Sequence, residues 1–335
     1  MPKTITLLLS PYHTGLRDHR VGNGPSRILS QGLIQTLSSQ EGITIETYEI
    51  PRVDDFEGEI GRSFEVMRRT SLAVNEIVAR GSYPVILSGN CMATAAVACG
   101  LELFHQQEQQ NQTKVEPEEQ KQKLGFIYFD SHDDLDSPDV NENGYFDAMG
   151  LSMLRGESWK MLMSSVPGYN PSMPFNYHAS QNRFLYCGLR DQSEVQRERV
   201  VEAGMEVVWG DVNFNANVNE TGGGGGKGRP DFRAQMEERL NERPFGPVVV
   251  HWDLDVMDAD AVGKVNDYPS PGGMLEEEIV GCLEMVPRRS VPRALVVCQF
   301  DPDSGDGDRI AQIAIRGIRG FVRSLVEMGV LERSA

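Results

Sequence analysis

Short apolar runs alternate with longer stretches in which apolar residues return every three or four positions, and this rhythm holds over almost the whole chain. A brief apolar run bounded by turn formers predicts a strand, whereas the 3.6-residue period predicts an amphipathic helix. Strands are expected at 5–9, 43–50, 84–87, 124–129, 183–188, 206–209, 247–252 and 294–299. Helical periodicity is clearest over 60–80, 92–105, 192–203, 232–241 and 310–328. Several strand candidates are continuously apolar, as strands buried on both faces must be. Strand–helix alternation of this kind predicts an α/β fold: three layers, α/β/α, around a mostly parallel sheet of about eight strands.

Two segments interrupt the rhythm. Residues 106–123 are rich in Gln, Glu and Lys, and residues 221–230 contain five consecutive glycines. Both are expected to be surface insertions or flexible loops within a single domain spanning residues 1–335. The glycine run lacks the Gly-Lys-Ser/Thr ending of a phosphate-cradling loop.

The balance of 32 Lys and Arg against 49 Asp and Glu gives a net charge of −17, which argues against nucleic acid and anionic membrane as partners. No stretch has the roughly 18 consecutive apolar residues of a membrane helix. The run 5–9 is too short for a signal peptide and reads as a first strand. The five cysteines, Cys91, Cys99, Cys187, Cys282 and Cys298, are odd in number and mostly set in apolar surroundings, so reduced buried thiols and a cytoplasmic location are expected.

The chemistry concentrates after two strands. The run 124–129 leads into Asp130-Ser131-His132-Asp133-Asp134-Leu135-Asp136, where alternation puts Asp130, His132 and Asp134 on one face. The run 247–250 leads into His251-Trp252-Asp253-Leu254-Asp255-Val256-Met257-Asp258, where His251, Asp253 and Asp255 share a face and Trp252 points the other way. Side chains gather outside the carboxyl ends of parallel strands, and carboxylates this close repel unless a cation lies between them. Two such clusters therefore predict a divalent-metal site. The aspartates of 301–308 invite a calcium reading, but they lack the Gly and Glu positions of an EF-hand and are expected to lead into the last helix.

These motifs resemble those of the ureohydrolase family, which includes arginases, agmatinases and formiminoglutamases. Asp130-Ser131-His132-Asp133-Asp134 is similar to the family's Asp-Ala-His-x-Asp, and Asp253-Leu254-Asp255-Val256-Met257-Asp258 to its Asp-x-Asp-x-x-Asp. Val21-Gly22-Asn23-Gly24-Pro25, Gly188-Leu189-Arg190-Asp191 and Ser270-Pro271-Gly272-Gly273-Met274 resemble further family turns in the same order. The resemblance implies an eight-stranded parallel sheet, a small-molecule substrate, a homo-oligomer and two manganese ions bridging a hydroxide that attacks a guanidinium carbon.

Four positions depart from the family pattern. Cys91, in Ser88-Gly89-Asn90-Cys91, stands where the family has a histidine ligand; a thiolate there suits zinc or iron better than manganese. Asp147 falls on the proton-shuttling histidine, Asp136 on the asparagine that meets the substrate's carboxylate, and Gln299 on the guanidinium-binding glutamate. Charge complementarity to arginine is lost at both ends. The resemblance thus implies metal ligands Asp130, His132, Asp134, Asp253, Asp255 and Cys91, holding one ion rather than two. Asp134 would orient water, Asp147 or His251 would move protons, and Asp136 and Gln299 would face substrate. A metal-dependent hydrolase of a small C–N compound other than arginine is expected. An inactive binding protein and Lewis-acid chemistry on a carbonyl compound remain open.

Overall fold

The computed structural model describes residues 1–54, 58–111, 124–140, 144–175, 183–210, 229–242 and 245–334. The glycine run, His178 and most of 106–123 lie outside these residues.

Eight strands form one sheet: β1 (Thr4–Ser10), β2 (Thr44–Glu49), β3 (Tyr83–Ser88), β4 (Gly125–Phe129), β5 (Phe184–Leu189), β6 (Glu206–Trp209), β7 (Pro247–Asp253) and β8 (Val291–Cys298). They pair in the order β2-β1-β3-β8-β7-β4-β5-β6, every pair parallel. Every expected strand is present. Along each interior strand the side chains alternate between two cores. Leu7, Leu87, Phe129, Trp252 and Val297 join one, with helices Leu33–Glu41, Phe232–Glu242, Glu276–Arg289 and Gly307–Glu327. Leu8, Ile86, Tyr128, Val249 and Val296 join the other, with helices Glu59–Ala79, Ala93–Asn111 and Glu194–Glu202. The fold is the expected α/β/α sandwich.

Three local readings are corrected. Helix Ala93–Asn111 continues through 106–111, which the polar composition suggested was loop. Helix Glu276–Arg289 was not read, although Ile279, Cys282, Leu283 and Val286 are its buried stripe; Pro287 in its last turn obscured it. Helix Leu33–Glu41 also escaped notice, its apolar positions being sparse.

The strand order positions the site. β3 and β4 are consecutive in this numbering yet separated in the sheet by β8 and β7, so their following loops diverge and leave a crevice at the carboxyl edge. Cys91 after β3, Cys298 on β8, His251 and Asp253 on β7, and Asp130 after β4 all stand around that crevice.

Candidate metal centre

Asp130, immediately after β4, is fully buried, and its Oδ1 accepts the His132 backbone N–H at 2.7 Å. Its Oδ2 is buried without a hydrogen bond and faces His251 Nε2 at 3.4 Å. His132 Nδ1 lies 3.5 Å from Asp130 and 3.4 Å from Asp255, while its Nε2 lies 3.4 Å from Asp191. Burial works against charge on this imidazole, but Asp255, Asp130 and Asp191 outweigh it and hold the pKa well above the ordinary histidine value. Asp191 in turn is drawn down to about 2, chiefly by its hydrogen bond with His132.

Asp134 adopts φ 53°, a left-handed backbone that a non-glycine residue rarely takes and that marks a site held by its surroundings. Tyr128 Oη donates to its Oδ2 at 2.6 Å. Burial and the carboxylates of Asp130 and Asp147 raise the Asp134 pKa well above the carboxylate range. The Tyr128 ring stacks flat on His251, 3.7 Å between centroids and 3° between planes. His251 Nδ1 and Thr94 Oγ1 are 2.7 Å apart, so this imidazole is fixed by its neighbours and its Nε2 faces the crevice. Burial lowers the His251 pKa, with Asp130 opposing.

Asp253 and Asp255 sit at the end of β7. Asp253 Oδ1 accepts the Asp255 backbone N–H at 2.7 Å, and its Oδ2 accepts from the Cys91 thiol at 2.8 Å. Asp255 accepts from Ser131 Oγ at 2.8 Å and from Asn266 Nδ2 at 3.1 Å. The frame behind them is Arg190, a buried guanidinium donating to the carbonyls of Pro271, Gly188, Val256 and Asp255.

The residues expected at the site divide into distinct groups. Ligand atoms of Asp130, His132 and Asp255 lie within 4.8 Å of one another, as do those of Cys91, Asp130, Asp134 and His251. Asp253 groups instead with Cys91, His251 and Cys298. Asp147 is fully buried and accepts the backbone N–H groups of Cys91 and Met92 at 3.1 and 3.0 Å, and the Gln299 side-chain amide at 2.7 Å. Burial raises its pKa to about 6. Gln299 itself has φ 60°. Asp136 is buried against Arg199, which donates to it at 3.2 Å, and Gln196 at 3.3 Å.

Three contributors were missed. Cys298 stands opposite Asp253 in the β8–β7 register, and its Sγ lies 3.5 Å from Cys91 Sγ and 3.6 Å from His251 Nε2. Its place one residue before Gln299 was the available signal. Tyr128, two residues before Asp130, was hidden in a strand that looked purely structural; it supplies a hydrogen bond to Asp134. Thr94 carried no signal. Elsewhere His13 is buried near His19 and Tyr145, at centroid distances of 5.8 and 6.3 Å, and His105 is exposed. Asp306 caps the last helix by accepting from Arg309 N–H, as the helix reading of 301–308 anticipated. All five cysteines are free and buried.

A parallel sheet with carboxylates, imidazoles and thiols gathered at its switch point defines an α/β protein with a candidate cation pocket, and the orphaned Asp130 oxygen fits such an ion. The chain belongs to the arginase family, whose model matches residues 3–319, and so carries an arginase-family hydrolase fold. The arginase of Bacillus caldovelox is 21% identical over 326 residues, covering 93% of this chain and 96% of that enzyme. The Bacillus subtilis arginase structure superposes with a TM-score of 0.71 at 20% identity, covering 96% of this chain and 98% of that one. The formimidoylglutamase structure from Bacillus subtilis gives 0.66 at 12% identity, covering 97% and 87%. Arginase-family proteins bind a divalent metal, usually manganese. Among the described residues no helix is long and apolar enough to cross a membrane.

Proposed function

We propose that this chain is a metal-dependent hydrolase of a small C–N compound of the amide, amidine or guanidino type, other than arginine. The observation that carries this reading is that Asp130 groups both with His132 and Asp255 and with Asp134, His251 and Cys91 at the ends of adjacent strands, where Asp130 Oδ2 has no hydrogen bond. These residues would hold an ion whose Lewis acidity would lower the pKa of water and stabilise developing negative charge. Asp134, steadied by Tyr128, orients the attacking water. Asp147, with its pKa raised to about 6, holds or releases a proton near neutrality.

Arginine is disfavoured by the same geometry. Gln299 is neutral and gives its amide to Asp147, so no carboxylate awaits a guanidinium at that point. Asp136 is already paired with Arg199 and would repel an amino-acid carboxylate. A manganese cofactor and a cytoplasmic homo-oligomer belong to this proposal through the family. The test is hydrolysis of a panel of amides, amidines, ureas and guanidino compounds by manganese-, zinc- or iron-loaded protein, with arginine as control and Asp134→Asn as the inactive reference. Turnover of a panel member above arginine supports the reading.

A second reading, a binding protein without turnover, is favoured by the Cys91–Asp253 hydrogen bond and by the saturation of Asp147 with backbone donors. Ion binding with no turnover of any panel member would favour it and sink the hydrolase.

A further inference from the structure

Beneath the carboxylates lies a second set of donors whose chemistry differs from theirs. Cys91, His251, Asp253 and Cys298 each offer one atom, all buried and all within 4.8 Å of one another. They come from the loop after β3, from β7 and from the end of β8, the central strands and so a rigid part of the sheet. We infer that these four side chains form a closed, thiolate-rich tetrahedral site for a borderline-soft divalent cation, zinc before manganese. The inference rests on the reading that these strand ends seat a cation, and concerns which donors hold it.

The spacing fits. Metal–sulfur bonds of about 2.3 Å and metal–nitrogen or –oxygen bonds of about 2.0 Å put tetrahedral ligand atoms roughly 3.3–3.8 Å apart. Here the two sulfurs are 3.5 Å apart, and Cys298 Sγ is 3.6 Å from His251 Nε2. Cys91 Sγ and Asp253 Oδ2, at 2.8 Å, need only to part by less than the width of an atom as the shared proton leaves.

The imidazole is prepared for the role. Thr94 Oγ1 lies 2.7 Å from Nδ1, and in the tautomer in which it accepts from Nδ1–H, Nε2 carries the lone pair and faces both sulfurs and Asp130. The stacked Tyr128 ring fixes its plane. Ligating imidazoles are commonly oriented by such a hydrogen bond on the far nitrogen. Two thiolates, an imidazole and a carboxylate select zinc or ferrous iron over manganese, which prefers oxygen donors.

The set shares Cys91 and His251 with the group that includes Asp130 and Asp134, but no residue with the Asp130–His132–Asp255 group, whose His132 side chain is 32% exposed. The deep site would therefore be closed by four protein ligands, leaving the partly open carboxylate position to meet substrate.

The test uses the full chain, stripped with a chelator and titrated with cobalt(II), then with zinc. We expect a near-ultraviolet thiolate-to-cobalt charge-transfer band that saturates at one equivalent and is displaced by zinc. Cys298→Ser should weaken the band and lower zinc affinity by roughly a hundredfold or more, since changes even in a metal site's outer shell cost about 10–100-fold. On the wild-type chain, X-ray absorption at the zinc edge should count two sulfur neighbours, a reading that survives if the variant fails to fold. Cobalt or manganese bound without sulfur neighbours would overturn the thiolate site and leave the hydrolase reading intact. No ion bound at all would overturn both, whereas a Cys91–Cys298 disulfide in the chain as isolated would overturn the thiolate site alone.

Discussion

Arg190→Met would remove the guanidinium that ties together three loops behind the second acidic motif. Nε donates to Pro271 O at 3.1 Å, Nη1 to Val256 O at 3.2 Å and Nη2 to Asp255 O at 2.9 Å, with Gly188 O at 3.3 Å from Nη1. Burial opposes this cation, depressing its pKa against the pull of Asp255, Asp130, Asp191 and Asp258, so part of the favourable bonding is offset by desolvation. Its loss still leaves buried carbonyls without donors, at about 1–3 kcal/mol each where no water replaces the nitrogen. Partial relaxation brings the expected net to about 3–5 kcal/mol. Arg190→Lys keeps the charge but loses the planar fork, and should fall between Met and wild type. Urea unfolding is the assay, with the loss read in the midpoint at unchanged slope. Because the bracket holds the carbonyl of Asp255, metal uptake should weaken in parallel. A Met variant within about 0.5 kcal/mol of wild type, the ordinary effect of a surface change, would refute the bracket.

Three other outcomes are expected. In Gly317→Ala, the new methyl carbon would stand 2.5 Å from Trp252 Cζ3 and 3.0 Å from Leu283 Cδ1, so overpacking of about 1–3 kcal/mol should exceed the roughly 1 kcal/mol helix-propensity gain; a raised melting temperature would contradict it. Burial, Arg20 and His19 depress the His13 pKa from 6.5 to about 4, so its contribution is complete above pH 6.5 and disappears as pH falls toward 4, where the unfolded chain protonates first. His13→Asn should flatten that acid limb of the urea midpoint against pH, and an unaltered limb would place the acid sensitivity elsewhere. Chelation should lower the melting temperature of metal-loaded protein, by an amount equivalent to about 2.7 kcal/mol if the ion had been at a hundred times its Kd. Asp253→Ala, which loses a ligand, should show little chelator effect; an equal shift in both would move the ion away from β7.

The strands were legible because burial on both faces leaves little room for polar residues, as in Val248, Val249 and Val250 on β7 or Val85, Ile86 and Leu87 on β3. Alternation also put His251, Asp253 and Asp255 on one face and Trp252 on the other; His251 and Asp253 do group together and Trp252 packs in one core, but Asp255, beyond the end of β7, groups with Asp130 and His132. What local pattern does not encode is strand order. Cys298 lies far along the chain from Cys91, and only the insertion of β8 beside β3 brings their sulfurs to 3.5 Å. Tyr128 escaped for a related reason: as an interior strand residue it fits the apolar run, and its hydroxyl becomes informative only once the Asp134 backbone has turned left-handed beneath it. Helix Glu276–Arg289 shows the converse, a regular apolar stripe concealed by one proline.

Three of the four departures from the family motif, Gln299, Asp147 and Cys91, are also not independent, and their wiring bears on how the site came to differ. Gln299 donates to Asp147, Asp147 receives the backbone N–H of Cys91, and the Cys91 thiol meets Asp253. A glutamate at position 299 alone would set two buried carboxylates face to face, since the amide nitrogen it replaces is 2.7 Å from Asp147 Oδ2. One of the pair would have to take a proton, which removes the negative charge that a guanidinium requires. A histidine at position 147 alone would leave the Cys91 and Met92 N–H groups without their acceptor at the start of helix Ala93–Asn111. A histidine at position 91 would have to fit where a thiol now packs between Asp253 and Cys298. Each of these three reversions is opposed by its neighbours, so Gln299, Asp147 and Cys91 act as one hydrogen-bonded unit, while Asp136 stands apart on Arg199. Residues in one such network couple in their energetics. The arrangement is thus better described as a rebuilt pocket with its own internal logic than as an arginase site that has lost parts.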